Sequence, residues 1–524
     1  MSRYFQLLIS EEFAERRIPE DDSVRLLDQI VDELDLHSLA CSYSRMGRKS
    51  ATSPRTLLKI MIYANMEGIY SSRSIESSCK RDINFIWLLN GEKAPNYREI
   101  ARFRSERLSE CGEDLFYQLV KKLSALGEIK FEHLFVDGTK IEANANKYSF
   151  VWRKTTNKYE ARLHEKLDKL IPALCLKYMV QCDNAEQLID MLKSKVDFPF
   201  VYGRGKRKSE LQRDIEQLSE LVTRKKKYEK YQATFSGRNS FSKTDPDATF
   251  MHLKEDHMRN AQLKPAYNLQ LGVEGEYVTG FDISSERSDQ FTLIPLIDKM
   301  DKNIGVKYQD VTADAGYESE ENLSFLRAKG IEAYIKPANY EQLGTKKFAK
   351  EIGRKENMRY DKEQDCYLCH NGKEIKRSGS RKVKTASGYI REETQYACSE
   401  CGGCPYKEKC MSGKNWKKPL EERYKKLTVS RLFEELREEE YRRIHSEEGK
   451  KLRMNRSIQA EGGFADIKGD SGFTRFLCKG NENVFAEYIL YAMAHNLGWL
   501  HSRIQNDKLD LHLYELKEDE TEAA

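Results

Sequence analysis

The sequence HLFVDGT at residues 133–139 is an apolar run that ends in a carboxylate, Asp137. A second run, DVTADAGY at residues 310–317, places Asp314 just before a turn and a predicted helix. Short apolar runs bounded by turn residues indicate buried strands, and α/β sheets place their functional groups where strands end. We therefore predict a sheet that carries Asp137 and Asp314 at one edge. An Asp that follows a strand is also a common turn former or helix cap, so neither residue is decisive alone.

The segments after the first run predict the rest of the sheet. YNLQLGV (267–273) and YVTGFDI (277–283) flank a Glu-Gly-Glu turn with alternating side chains, which predicts a β-hairpin. A helix is predicted over residues 290–301, another over residues 319–329, and a last strand over residues 331–335. The core order is therefore strand, hairpin, helix, strand, helix, strand, which is typical of an α/β fold.

A third carboxylate, Glu461, lies in the motif QAEGGF, within a segment rich in Arg and Lys. Mg²⁺ takes oxygen ligands, and usually only a few carboxylates. Two such ions about 3.5–4 Å apart can clamp the attacking and leaving oxygens of a phosphoryl transfer. Asp137, Asp314 and Glu461 are therefore the predicted catalytic and Mg²⁺-binding residues. Because Mg²⁺ favours oxygen, His133 and His257 are predicted to be structural or to face a nucleic acid.

The composition predicts a highly charged protein of several domains. A length of 524 residues corresponds to about three domains, and 39% of the residues are hydrophobic. The net charge is only +5, from 89 basic and 84 acidic residues, so only local clusters can indicate nucleic-acid binding. The sequence has no apolar run of about 18 residues and no secretory signal, which predicts a cytoplasmic location that includes the nucleoid.

Residues 1–125 are predicted to form an N-terminal domain of short helices separated by turns. Its later helices carry the basic side chains that we expect to bind DNA, namely Arg73, Arg98, Arg102 and Arg104. Short helices with a basic face are typical of helical DNA-binding modules. An ordinary helical domain with a solvated basic face fits the same pattern.

Residues 150–240 interrupt the predicted sheet with a charge-dense stretch whose leucines recur at helical spacing, which predicts an inserted helical hairpin. Its basic clusters include Arg207, Lys208 and Lys226. Such clusters suit contacts with DNA phosphates, which carry no sequence information. A solvated helix face explains each cluster equally well.

The segment 338–428 holds six of the 12 cysteines: Cys366, Cys369, Cys398, Cys401, Cys404 and Cys410. Without a secretory signal these indicate reduced thiols and metal ligands. Two C-x₂-C pairs about 30 residues apart resemble a zinc ribbon, although the spacing is wider than usual. An iron–sulfur cluster and cysteines without a metal are the alternatives. Structural zinc is favoured, because the segment has few large apolar residues and would need a staple to fold.

These motifs together resemble the DDE transposases of bacterial insertion sequences, in the group numbered eleven-eighty-two, which have an RNase H-like catalytic core. The dense cysteine cluster is similar to a Cys-rich insert of that group. The segments that carry the resemblance are PRTLLK (54–59), GIYSSR (68–73), IARFR (100–104), FVDGTKIEAN (135–144), KEDH (254–257) to LKPAYN (263–268), TADAGY (312–317) and RSIQAE (456–461), continued to Lys468.

The resemblance implies a division of the chain into domains. An RNase H-like mixed sheet flanked by helices would form the catalytic core over residues 126–337 and 429–505. The Cys-rich, zinc-binding insertion would occupy residues 338–428. The acidic residues 506–524 would form a frayed tail.

The resemblance also implies the activity. The protein would cut DNA at the ends of its element with Mg²⁺ or Mn²⁺, and the freed 3′-OH would attack target DNA. Asp137 would hold two ions, with Asp314 and Glu461 completing one site each. A homodimer would hold two terminal repeats in a synaptic complex. A nuclease without strand transfer and a catalytically inactive DNA-binding relative remain as alternatives.

One departure concerns the family's signature of Tyr, Arg, Glu and Lys around the third carboxylate. Glu461 and Lys468 keep the family's spacing, but the Tyr and Arg positions hold Met454 and Ser457. The nearest arginine, Arg456, lies one residue further from Glu461 than the signature requires. We expect Arg456 and Lys468 to contact DNA phosphates, with a surface salt bridge as the alternative for Lys468.

Overall fold

The computed structural model describes residues 11–43, 50–203, 205–253, 262–411, 418–470 and 472–516. It confirms a mixed α/β protein, 51% helical, with a curled mixed sheet and an N-terminal helical region that are compatible with an RNase H-like core. His257 and the segment 254–257 lie outside the described residues. No helix within these ranges is long and apolar enough to cross a lipid bilayer.

The N-terminal region is helical, as the sequence predicts. Ser53 caps one helix by accepting the Thr56 N–H at 3.2 Å, and Pro54 takes the first position of that helix. A π-helical turn, Phe103–Arg107, precedes the last helix of the region. The described helices are α1 (Glu11–Arg17), α2 (Ser23–Asp32), α3 (His37–Cys41), α4 (Pro54–Met66), α5 (Ser72–Ser78), α6 (Ile83–Leu89), α7 (Tyr97–Arg102) and α8 (Leu108–Ala125).

The chain then builds the central sheet, with a helical insertion after its first strand. The predicted hairpin, both predicted core helices and the strands that follow them are confirmed, with small shifts at their ends. In chain order the elements are β1 (His133–Glu142), β2 (Phe150–Trp152), α9 (Arg153–Tyr178), α10 (Ala185–Ser194), α11 (Glu210–Phe235), β3 (Ser240–Ser242), β4 (Thr249–His252), β5 (Leu263–Glu274), β6 (Tyr277–Ser284), α12 (Leu293–Ile304), β7 (Asp310–Ala313), α13 (Glu320–Lys329) and β8 (Glu332–Ile335).

The register of the central sheet brings two predicted site residues together. Its six strands follow the order β4-β5-β1-β7-β8, with β6 also paired to β5. Strand β1 is antiparallel to β5 and parallel to β7. The parallel register pairs His133 with Asp310 and Val136 with Ala313. Asp137 therefore lies beside the point where β7 ends and Asp314 follows.

The helical insertion has a core of its own. Strands β2 and β3 pair at its base. Helices α9 and α11, 26 residues each, pack with α10 around Leu167, Leu188 and Leu218. The prediction of a simple hairpin missed α10. This helix forms a separate element because Asn184 caps it, accepting the Glu186 N–H at 2.8 Å.

The Cys-rich segment folds as a second sheet, with strands in the order β13-β12-β11-β10-β9. Tyr367, Ile375 and Tyr396 form its core. The expectation that this segment lacks a core is therefore wrong, because aromatic side chains from neighbouring strands supply one. The elements are α14 (Tyr340–Leu343), α15 (Lys346–Ala349), β9 (Arg359–Asp361), β10 (Cys366–Leu368), β11 (Glu374–Lys384), β12 (Ile390–Ala397), α16 (Lys407–Cys410) and β13 (Lys426–Val429).

The chain returns to the central sheet through helices. Two short π-helical turns, Ser457–Glu461 and Asp466–Asp470, interrupt them. The last helix confirms the apolar helix predicted at 484–504, and it packs against α4, α8 and β6. These helices are α17 (Arg431–His445), α18 (Glu447–Arg456), α19 (Gly462–Ala465) and α20 (Asn481–Gln505).

The segment after α20 folds back onto the core up to residue 516, which corrects the predicted frayed tail. Asn455 accepts the Tyr514 N–H at 2.8 Å and donates to the Tyr514 carbonyl at 2.9 Å. Gln459 donates to the His512 carbonyl at 2.9 Å. The acidic composition of the segment gave no sign of these long-range contacts. Residues 517–524 lie outside the described residues.

Candidate active site

Two predicted carboxylates meet where β1 passes the end of β7. Asp137 is 7% exposed, and its Oδ1 accepts the Gly138 N–H at 2.8 Å. Asp314 Oδ1 accepts the Gly316 N–H at 2.7 Å and so caps the 3₁₀ turn Ala315–Tyr317. The capping alternative is thus correct for one oxygen of Asp314. Its other oxygen, Oδ2, accepts no hydrogen bond from any described residue.

Glu461 joins this group through Arg456. The Arg456 guanidinium lies 2.7 Å from Glu461 Oε1 and 3.3 Å from Asp137 Oδ2. Arg456 is 8% exposed, whereas Glu461 faces solvent. One cation therefore stands between two of the three predicted carboxylates. The structure places Arg456 inside the carboxylate group, while the sequence suggested only a contact with DNA.

The one-residue departure from the family signature has a structural counterpart. The π-helical turn Ser457–Glu461 lies between Arg456 and the third carboxylate. A π turn, with hydrogen bonds from i to i+5, takes in one residue more than an α turn. Arg456 and Glu461 are five residues apart and still form a hydrogen bond. The turn absorbs the additional residue that separates this sequence from the signature.

A fourth carboxylate, Asp289, lies next to this group and was not predicted. It begins the 3₁₀ turn Asp289–Phe291. Its Oδ1 accepts hydrogen bonds from the Asn268 amide at 2.7 Å and the Gln270 amide at 3.1 Å. An Asp shortly before a helix has the sequence pattern of an ordinary cap. No apolar run leads into it, so no signal in the sequence distinguished it.

The buried side chain of Tyr317 links these carboxylates to the sheet. Its hydroxyl donates to Gln270 Oε1. Burial raises the pKa of Tyr317 well above its usual range, and the nearby Asp289, Asp137 and Asp314 raise it further. The hydroxyl therefore stays protonated, within electrostatic reach of three carboxylates. Sequence reasoning assigned Tyr317 no role beyond its place in the second motif.

The donor set is suited to a hard divalent cation. Asp137, Asp314 and Glu461 offer carboxylate oxygens, which Mg²⁺ and Mn²⁺ accept as ligands. Among the described residues, no three His, Cys, Asp or Glu side chains are close enough to hold a metal ion together in this conformation. Arg456 supplies the positive charge between Asp137 and Glu461.

Three of the predicted DNA-binding arginines lie on the surface of the N-terminal helices. Arg73 of α5 and Arg98 of α7 both place their guanidinium groups near the Tyr97 ring, at 5.2 and 5.7 Å from its centroid. Arg102 is exposed at the end of α7. These three side chains could reach a phosphate without any change in the fold.

Arg104 and Lys468 are less accessible. Arg104 is 5% exposed and donates to the Tyr70 carbonyl at 2.7 Å. It also lies near the buried carboxyl of Glu487, whose pKa is raised by burial although Arg104 lowers it. A contact between Arg104 and DNA would require this side chain to leave the carbonyl, so its predicted surface position is wrong. Lys468 is half-buried in the second π turn.

The basic clusters of the helical insertion are partly neutralised within the insertion. Lys208 pairs with Glu216 at 2.5 Å, and Lys226 pairs with Glu186 at 3.2 Å. Arg207 is exposed. The net attraction for DNA phosphates is therefore smaller than the sequence clusters suggested, since each paired acid cancels part of the charge.

The six cysteines of the predicted zinc segment fall into two groups. Burial raises the pKa of the Cys398 thiol to about 11, and other thiols near it contribute. Cys366 lies apart, and its pKa is raised by burial and then by Glu374 and Asp361. The other group consists of five neighbouring thiols, Cys369, Cys398, Cys401, Cys404 and Cys410.

Two family models, both of transposase domains, match parts of the chain. One, described as a transposase DDE domain, matches residues 368–501, which include Arg456 and Glu461. The other, described as a transposase domain, matches residues 12–106, which reach past α7. These two matches support a DDE transposase of insertion-sequence type, and transposases act on DNA. No curated protein and no solved structure gives a significant match.

Proposed function

We propose that the protein cuts DNA at the ends of an insertion sequence and joins the freed 3′-OH to target DNA, in a reaction that depends on Mg²⁺ or Mn²⁺. One observation carries this proposal. Asp137 lies on β1 beside the end of β7, where Asp314 follows, and Arg456 pairs with both Asp137 and Glu461. The family match supports it, because DDE transposases use divalent metals in general.

Asp137, Asp314 and Glu461 would hold two divalent ions, with Asp137 shared between them. The ions would stabilise the charge that develops on the phosphate as its bonds change. Asp137 keeps one oxygen on the Gly138 N–H of the same strand, and Asp314 keeps one on the Gly316 N–H of the following 3₁₀ turn, which fixes the carboxylates before DNA arrives. A fixed geometry of this kind reduces the cost of orienting the reacting groups.

Arg456 has two tasks in this proposal. Before ions bind, its guanidinium neutralises Asp137 and Glu461, which would otherwise repel each other. Its Nη1 is buried and makes no hydrogen bond in the described structure. Once ions take over the carboxylates, this group can donate to a phosphate oxygen of DNA. Arg456 thus positions the carboxylates in one state and the DNA in the other.

The proposed DNA-binding surface has one part that recognises the terminal repeats and another that contacts the phosphate backbone of any sequence. Arg73, Arg98 and Arg102 would bind the terminal repeats, and the insertion around Arg207 would follow the phosphate backbone. Lys468, close to Glu461 in the chain, would contact a phosphate next to the site. Because two transposon ends must be held at once, we propose a homodimer in the synaptic complex.

The Cys-rich sheet would bind one structural Zn²⁺. Zinc takes four thiolates in a tetrahedron, and the five neighbouring thiols offer that number. Cys366 is not part of the proposed set, since its pKa is raised by burial and affected by nearby charged side chains, and no thiol is among them. The ion would fix the segment between β12 and β13, where four of these cysteines lie.

Cleavage of the DNA that flanks the protein's own gene tests the proposed function, with Asp314→Asn as the variant. Asn keeps an oxygen that can accept the Gly316 N–H, so the fold should persist while the charge is lost. We expect nicking at the element's boundary with Mg²⁺, reduced by roughly 100-fold or more in the variant. Asp298→Asn is a matched control, because Asp298 is an exposed carboxylate paired with Lys329.

Two further results decide between the alternatives. Joining of pre-cut ends to target DNA distinguishes a transposase from a nuclease, which would cut without joining. Specific binding to the ends, with no metal-dependent cleavage by the native protein, would refute the proposal. It would indicate the inactive DNA-binding relative instead.

A further inference from the structure

Asp289 lies at the edge of the carboxylate group and is oriented by two amides of β5. Its Oδ1 accepts a hydrogen bond from Asn268 at 2.7 Å and another from Gln270 at 3.1 Å. It does not cap the helix that follows, since α12 starts at Leu293 without a side-chain cap. Two donors on one oxygen fix the orientation of the carboxylate and leave its Oδ2 for another contact.

The second oxygen of Asp289 and one oxygen of Asp314 both lie close to Gly316. A Cβ placed on Gly316 would lie 3.5 Å from Asp289 Oδ2 and 2.9 Å from Asp314 Oδ1. Asp289 Oδ2 accepts no hydrogen bond from the residues that the structure describes. A Cβ on Gly138 would meet Asp289 Oδ1 at 3.0 Å. Because Gly138 and Gly316 have no Cβ, there is room for Asp289 close to β1 and to the end of β7.

A buried polar atom beside Asp289 is also unpaired. Asn268 is 0% exposed, and its Oδ1 accepts no hydrogen bond from any described group, although the same amide donates to Asp289. A buried carbonyl oxygen without a partner is costly. An amide oxygen is also a ligand that hard divalent cations accept. This is a second and independent sign that a ligand belongs next to Asp289.

We propose that Asp289 is a fourth carboxylate of the metal centre and binds one divalent cation together with Asp314. This inference rests on the proposed function, because it adds a ligand to the same centre. The cation would relieve the repulsion between two carboxylates that both lie close to Gly316. Asp137 would remain shared with the other ion, which Glu461 would complete on the side of the site where Arg456 lies.

Binding of Mn²⁺ to the full chain without DNA, followed by electron paramagnetic resonance, tests this role in Asp289→Asn. An Asn can accept both amide donors on its oxygen, so the contacts of Oδ1 can persist while the charge of Oδ2 is lost. We expect the affinity for one Mn²⁺ to fall by roughly 10- to 100-fold. Asp298→Asn, on α12 but outside the site, should bind Mn²⁺ as the native chain does.

Asp289→Glu keeps the charge, and partial recovery of Mn²⁺ binding in this variant would support a direct contact with the ion. Native Mn²⁺ affinity in Asp289→Asn, together with weaker binding in Asp314→Asn, would overturn the inference and leave the proposed function intact. A lower melting temperature with unchanged Mn²⁺ affinity would overturn it as well, because a purely structural role predicts that result. A failure of the proposed function would give a different result, because the native protein would then show no Mg²⁺-dependent cleavage.

Discussion

At the scale of single residues, Arg456 determines the electrostatic balance of the site. It pairs with the buried Asp137 and with Glu461. In Arg456→Ala we expect a loss of roughly 2–3 kcal/mol in the free energy of unfolding, because a buried carboxylate loses a cationic partner. Mg²⁺ should restore more stability to the variant than to the native protein, since the ions bind the folded state. Urea unfolding with and without Mg²⁺ measures both effects.

Lys450→Ala serves as the control for that experiment. Lys450 lies on the same helix, α18, and pairs with the exposed Glu447 at 3.1 Å. Exposed pairs of this kind contribute little to stability. An equal response to Mg²⁺ in Arg456→Ala and in the native protein would contradict the view that Arg456 stands in for the cations.

His133 lies at the start of β1, and its protonation makes the stability of the protein depend on pH. Its Nδ1 lies 2.6 Å from Asp310 Oδ2, and this hydrogen bond raises the pKa of His133 despite burial. Burial raises the pKa of Asp310, although the hydrogen bond with His133 lowers it. The pair joins the first residues of β1 and β7 and fixes the register that places Asp137 beside Asp314.

A raised pKa in the folded state means that His133 contributes fully below the unfolded value of about 6.5. The contribution is lost as the pH rises through the higher pKa of the folded protein. The native chain should therefore exceed His133→Asn in stability by about 1.5 kcal/mol at pH 6 and by less at pH 9. Urea unfolding at both pH values measures this difference. A difference in the free energy of unfolding that grows from pH 6 to pH 9 would contradict this prediction.

Residue-level patterns could reveal only part of the site. Asp137 and Asp314 could be predicted because each lies at the end of an apolar run, and a strand end is a recognisable place. Asp289 follows no such run, and its partners Asn268 and Gln270 lie on another strand. The contact between Arg456 and Asp137 depends on how a late helix packs on the sheet, which no local pattern contains.

At the scale of elements, the π turn after α18 is the clearest case that the sequence could not settle. Read by residue spacing, Met454 and Ser457 hold the Tyr and Arg positions of the signature, and Arg456 lies one residue too far from Glu461. The turn Ser457–Glu461 changes how many residues one turn contains, so spacing alone no longer tells which side chains meet. The helical periodicity predicted at 430–460 was correct, but it could not show where the helix departs from α geometry.

The second sheet carries a prediction about zinc. The purified protein should contain one Zn²⁺ per chain, because four thiolates bind zinc tightly. Cys401→Ser should lose the ion, since Cys401 belongs to the group of five neighbouring thiols. Cys366→Ser should keep it. Mass spectrometry of the metals in each protein measures the outcome.

Equal zinc content in the two serine variants would contradict the division of the cysteines into two groups. Iron in place of zinc would indicate an iron–sulfur cluster. The second sheet also has its own core around Tyr367 and Tyr396. Cys401→Ser should therefore change the loop between β12 and β13 without unfolding the sheet.

At the scale of the whole molecule, one buried ion pair joins three distant parts of the chain. Arg503 of α20 lies 2.9 Å from Glu128 and donates to the Leu511 carbonyl at 2.8 Å. Although burial acts to raise it, hydrogen bonds from Asp510, Tyr277 and Arg503 lower the pKa of Glu128. The last helix, the segment before β1 and the C-terminal segment are thus fixed to one another.

Arg503→Met should lower the free energy of unfolding by about 3–5 kcal/mol, because it leaves the Glu128 carboxylate buried without a cation. Urea unfolding followed by circular dichroism measures the change. Arg55→Met is the control, since Arg55 forms an exposed pair with Asp32 at 3.1 Å and should change stability by less than about 1 kcal/mol. Similar losses in both variants would show that burial of the Arg503 pair has no special effect.

The global fold was more predictable than its long-range contacts. The order of strands and helices after residue 126 was sufficient to indicate an α/β core, because each element has its own apolar period. The return of the segment 506–516 to the core was not predictable, since Asn455 and Gln459 hold it by hydrogen bonds to its backbone. Such bonds leave no trace in the composition of the segment that receives them.

The contact of residues 512–514 with the core has a consequence during synthesis of the chain, which proceeds from the N-terminus. A ribosome completes the N-terminal helices and the strands that carry Asp137 and Asp314 long before it releases Tyr514. Asn455 and Gln459 flank Arg456 and precede Glu461, and they gain their backbone partners only when residues 512–514 emerge. If the proposed function holds, a chain that ends before residue 512 would bind transposon ends, but its third carboxylate, Glu461, would lack the support of these hydrogen bonds. Abortive translation products would then restrain the complete enzyme by competing for the same DNA.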